Sequence, residues 1–79
     1  MNKEISTHLF VQAIEDAGAT GRKTEVDAIN GFVFQDFVGP NGEGPVTVTL
    51  SKESIPETTG RVYLIKLGLL GLADRGLFQ

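Results

Sequence analysis

The sequence predicts an α+β fold, with one N-terminal helix packed on a small antiparallel sheet of three to four strands. Three observations carry that prediction. Apolar residues recur at helical spacing over residues 3–17, β-forming residues crowd 31–38, and VTVTL at 46–50 alternates strictly between apolar and polar. An OB-like small β-barrel is the alternative closure of the same strands.

In the first element, Ile5, Leu9, Ala13 and Ala17 follow one another at four-residue spacing, with Phe10 and Ile14 beside them. That is one broad helical stripe. Asn2 suits an N-cap, Glu4 suits the positive end of the helix dipole, and Gly18 suits a left-handed C-cap. GATGRK at 18–23 is a connection. Residues 24–30, TEVDAIN, are read as a strand, with a short helix capped by Gly31 as the competitor. Asn30-Gly31 is a two-residue hairpin signal, and that turn would set Glu25 opposite Asp36, an unfavourable like-charge pair. GFVFQDFV at 31–38 and VTVTL then form a hairpin across the turn GPNGEGP at 39–45. Residues 51–60 read as a loop or single turn, and RVYLIKL at 61–67 as the next strand. The tail GLLGLADRGLFQ is a bulged strand or a poor short helix.

The 79 residues fit one domain, 1–79. Such a chain buries only about 60% of its unfolded surface, so self-association or a partner is expected to complete its core. No cysteine is present, which excludes disulfides, thiolate metal sites and cysteine nucleophiles. The lone His8 has Glu4 and Gln12 as its helical neighbours, a pattern of solvated faces and not of a general base. Glu15, Asp16, Asp27, Asp36 and Asp74 follow no calcium-loop or paired-acid spacing. GPNGEG lacks the lysine and the following helix of a phosphate loop. The expectation is therefore a non-enzymatic protein with no metal and no cofactor. The polar start MNKEISTHLF has no signal-like apolar run, and the longest apolar stretch, 62–73, is short of the roughly 20 residues of a membrane helix and contains Lys66. A cytoplasmic protein of a bacterium, phage or host cell, without membrane contact, is expected.

Two surfaces carry functional expectations. The run LIKLGLLGLADRGLF is either a central strand covered on both faces or an apolar surface that pairs across a dimer or onto a partner. On the second reading Leu69, Leu70, Leu72 and Phe78 dock, with Asp74 and Arg75 at the rim. The leading expectation is thus a small acidic protein-binding module, of the inhibitor or accessory kind encoded by phages and mobile elements, that acts by occluding a protein partner. Its carboxylates also allow imitation of nucleic-acid phosphates. The other surface is Phe32, Phe34 and Phe37, alternatively core residues. Their string NGFVFQDF resembles the aromatic strand of RNA-binding sheets and cold-shock barrels, whose exposed rings stack on bases. The order GRK, aromatic strand, PVTVTL, TGRVYLIKL, DRGLF over 21–78 also resembles the small single-strand DNA-binding proteins of filamentous phages. That resemblance implies a five-stranded OB-type dimer, base stacking by Phe34 or Tyr63, and phosphate contacts from Arg22, Lys23 and Arg75. The helical pattern over 3–17 stands where that family begins with a strand, and the net charge of −3 disfavours nucleic acid. Both place this reading second. A third expectation is a structural assembly subunit joined through sheet edges.

Overall fold

A computed structural model describes residues 3–78. The chain runs β1 (Glu4–Ser6), α1 (Thr7–Asp16), β2 (Thr20–Asp27), β3 (Phe32–Val38), β4 (Val46–Thr49), β5 (Ser54–Pro56), α2 (Glu57–Leu67) and α3 (Gly71–Asp74). β2, β3 and β4 form a three-stranded antiparallel sheet in that spatial order, and β1 pairs antiparallel with β5 in a separate ribbon. The α+β class and the small antiparallel sheet are as the sequence predicts. Among the described residues there is no closed barrel, so the OB-like alternative is corrected: the sheet ends in two open edges, β2 and β4.

The helix expected over 3–17 is shorter. Residues 4–6 are extended and pair with 54–56, Ile5 opposite Ile55, both buried. Asn2 lies outside the described residues. The cap is Ser6, whose hydroxyl accepts from the Leu9 N–H at 3.4 Å. Thr7, Phe10 and Ile14 face inward, while Leu9 is exposed and so falls outside the buried stripe. Gly18, with φ of 104°, turns the chain away. The β1–β5 ribbon also serves the starts of both long helices. The Thr7 N–H donates to the Glu53 carbonyl and the Glu57 N–H to the Lys3 carbonyl, each at 2.9 Å. Two N–H groups that a helix start leaves unpaired are thereby satisfied.

Residues 24–27 are strand, as read, but the hairpin register differs from expectation. The connection is the four residues 28–31, so Glu25 lies opposite Phe34 and Asp27 opposite Phe32. The like-charge pair Glu25–Asp36 is avoided. The Asp27 carboxylate replaces the tight turn: it accepts from the Ile29 and Asn30 N–H groups at 3.1 and 3.2 Å and from Asn30 Nδ2 at 2.8 Å. These bonds, the Asn30 side-chain amide foremost, hold its carboxyl below the usual carboxylate range. A bulge between Gly21 and Thr24 shifts the ladder by one residue.

The largest correction is at 61–67, which is not a strand. It is the body of α2. Val62, Tyr63 and Ile65 favour strands, but Gly60, Leu64 and Leu67 are the residues that become buried, and their spacing is helical. Glu57 in the first turn and Lys66 in the last suit the dipole, and Gly68 closes the helix in the left-handed conformation. The segment 51–60, expected as a loop, supplies β5 and the first turn of α2. The tail is the short-helix alternative, a single turn at α3, and not a bulged strand.

One core joins both layers. Phe37, Val46 and Val48 of the sheet meet Phe10 and Ile14 of α1 and Leu64 and Leu67 of α2, with Ile5, Ile55 and Phe78 closing the ends. Phe37 and Val46 are directly opposite in register, so one sheet face is covered by helices. The other face, with Phe32, Phe34 and Asp36 of β3, is left to solvent.

Candidate interaction surface

The terminal residues expected to dock do not form one patch. Phe78 is buried, its ring against Gly60, and cannot meet a partner. Leu69 and Leu72 are half-buried against the core. With Ala13, Ala17 and Arg75 they line an open depression of about 390 Å³. Leu70, Asp74 and Arg75 are exposed, and Arg75 Nε donates to the Gly71 carbonyl at 3.2 Å. On the far side of Arg75, a polar depression of about 370 Å³ lies among Lys3, Glu57, Arg61 and Asp74. Arg61 is already held there by Glu57 at 2.8 Å and lies over the Phe78 ring.

The aromatic group divides between two faces. Phe37 is in the core, so a stacking role for it is corrected by its burial. Phe32 is 42% exposed and Phe34 half-buried, with ring centroids 6.0 Å apart on the uncovered sheet face. Tyr63 belongs to α2, with its ring 6.0 Å from that of Phe10. It is not on the strand that the phage-protein resemblance implies. Arg22 and Lys23 form the β2 bulge and line an open depression of about 410 Å³ with Asp36 and Val38. Carboxylates interrupt this face: Lys23 pairs with Glu25 at 3.4 Å, and Asp36 accepts from the Thr47 hydroxyl at 2.8 Å.

The residues that the sequence reading missed are at the end of the β2–β3 hairpin. Val26 is 68% exposed and Ile29 is 94% exposed. Val26 lies opposite Val33 in register, on the sheet side that carries Phe37 nearer the core, but the helical layer stops short of it. The hairpin is therefore an arm whose tip offers Val26, Ile29 and Phe32. A signal was present: two apolar residues next to a strong turn, in a segment whose alternation assigned them no buried partner.

His8 is exposed and makes no side-chain hydrogen bond among the described residues. No group of three or more His, Cys, Asp or Glu is placed to hold a metal ion among them, and no helix is long and apolar enough to cross a membrane. The loop 39–45 is tied to itself and to α2, not arranged as a phosphate cradle. Gly39 N–H donates to the Glu43 carbonyl and Asn41 N–H to Glu43 Oε1, both at 2.8 Å. A Cβ at Gly39 would overlap the Leu67 carbonyl oxygen. Comparison with protein-family models, with curated proteins and with solved structures finds no match.

Proposed function

We propose that the protein is a non-enzymatic binding module that occludes a protein partner by inserting the tip of its β2–β3 arm into an apolar cleft rimmed by basic side chains. The carrying observation is Ile29, an Ile left 94% exposed at the end of a hairpin whose turn is braced by hydrogen bonds to the Asp27 carboxylate. A turn braced in this way loses less conformational freedom on binding than an unbraced loop, which favours affinity. Glu25 and Asp27 beside the tip, and the net charge of −3, suit a basic rim. The terminal segment, with Phe78 internal, is a poorer candidate for the docking surface than the sequence suggested.

Burying an exposed Ile contributes about 1.5–3 kcal/mol, roughly 10- to 150-fold in Kd. The test is affinity capture from cells of the source with wild type, Ile29→Asp and Leu70→Asp, with and without nuclease, followed by titration of the purified captured protein. A 1:1 complex weakened at least about tenfold by Ile29→Asp and unaffected by Leu70→Asp is expected. A complex insensitive to Ile29→Asp would overturn the arm reading. Phe32 and Phe34 on the uncovered face favour a second reading, single-strand nucleic-acid binding. Oligothymidylate binding that weakens as salt rises and is lost on Phe34→Ala would put that reading first.

A further inference from the structure

β2 is an eight-residue edge strand paired on its β3 side only. Its free edge presents backbone donors and acceptors that a second strand can take. Lys and a bulge ordinarily discourage such pairing, and β2 has both at Arg22–Lys23. Here, however, the lysine is followed two residues later by a glutamate on the same face of the strand. The two are exposed and paired with each other within the protomer at 3.4 Å.

Consider two copies of β2 meeting edge to edge about a twofold axis. Directly opposite residues must share a sheet face, because side chains alternate along a strand. The axis must then pass through a residue and not between two. Centring on Arg22, Lys23 or Glu25 sets that charge against itself. Centring on Val26 sets Glu25 against Asp27 of the second copy. Centring on Thr24 sets Lys23 of each copy opposite Glu25 of the other, twice, within the regular stretch 23–25, beyond which the bulge turns Arg22 to the same side as Lys23. We infer that the protein self-associates through the β2 edge in the register centred on Thr24, which joins two three-stranded sheets into one of six. The β4 edge is a poorer candidate: it is four residues long, follows Pro45 and carries no charge to fix a register.

The bulge adds twist at both ends of the joined stretch. The regular contact is therefore confined to about three residues a side, well below the area of a standard stable interface. A weak, reversible dimer is expected. The test is sedimentation equilibrium of the purified chain from about 10 to 500 μM, the range that resolves a weak dimer. Lys23→Glu replaces two attractive pairs with two repulsive ones and should raise the dimer Kd about tenfold or more. The swap Lys23→Glu with Glu25→Lys restores both pairs and should return Kd to within about threefold of wild type. Ile29→Asp should leave it unchanged, which separates this contact from docking by the arm tip. A monomer at every concentration, a dimer indifferent to Lys23→Glu, a swap that fails to recover, or a dimer lost in Ile29→Asp would each overturn the inference.

Discussion

Gly60 and Phe78 offer the sharpest test of how the helical layer closes. Replacing an interior helix glycine with alanine normally stabilises by about 1 kcal/mol. At Gly60 the added Cβ would lie 2.5 and 2.7 Å from two carbons of the Phe78 ring. Ordinary carbon contacts are about 3.5–4.0 Å, so the ring must retreat by about 1 Å. Overpacking of that kind costs about 1–3 kcal/mol. Gly60→Ala should then leave the protein between neutral and about 2 kcal/mol less stable, against its helix propensity. In a Phe78→Leu background the shorter side chain does not reach Gly60, and the next neighbour, Phe10, is at an ordinary 3.5 Å. There Gly60→Ala should stabilise by about 1 kcal/mol. Leu is chosen over Ala because Phe→Ala in a core costs about 3–5 kcal/mol, a large share of the roughly 4–12 kcal/mol total expected for this length. Urea unfolding followed by circular dichroism at the helix band, on wild type, both single variants and the double variant, gives the coupling energy. A value of about 1–3 kcal/mol is expected. The same effect of Gly60→Ala in both backgrounds would refute the packing of Phe78 on α2.

Other outcomes follow from single groups. Thr7 Oγ1 is buried and has no hydrogen-bond partner among the described residues; Thr7→Val should raise thermal stability, by about 1 kcal/mol, because an unpaired buried hydroxyl is destabilising. Ser6→Ala removes the α1 cap and should lower stability by about 0.5–1 kcal/mol in the same urea assay. The Asp27 carboxyl, held low first by Asn30, contributes its stabilisation fully above the ordinary carboxylate range and loses it as pH falls through the depressed folded value. The Ile29 and Asn30 amide resonances should therefore titrate below the pH at which a free Asp does. A midpoint at or above that of free Asp would show that the turn does not hold the carboxylate.

The parts of the fold that could be read from sequence are those where one periodicity dominates. Phe10 and Ile14 mark α1, and Val46 and Val48 mark β4, because each set meets the same core that its spacing predicts. α2 reads as a strand because its exposed residues, Val62 and Ile65, are as apolar as its buried ones, Leu64 and Leu67. Four apolar residues in a row, with period two available, hide a helix whose inward row begins at a glycine. The stop at Gly68 and the start after Pro56 were the remaining signs. β1 and β5 are three residues each, too short to show a pattern, and exist because each pairs with a segment 50 residues away. The arm is hidden in the sequence for a related reason. Ile29 looks like a core residue in any sequence, and only the reach of the helical layer decides that it stays outside.

Lys3 and Phe78 line the same depression, so the two described ends of the chain are neighbours. A short linker could join them and the backbone be opened elsewhere. Reopened at Gly42, where nothing lies within 4 Å of an added Cβ, the circularly permuted chain would keep every strand pairing. Reopened at Ile29, it would keep all three helices and the β3–β4 pair while cutting the arm at its tip. The two permutants would thus separate what the body does from what the projection does, without altering one side chain.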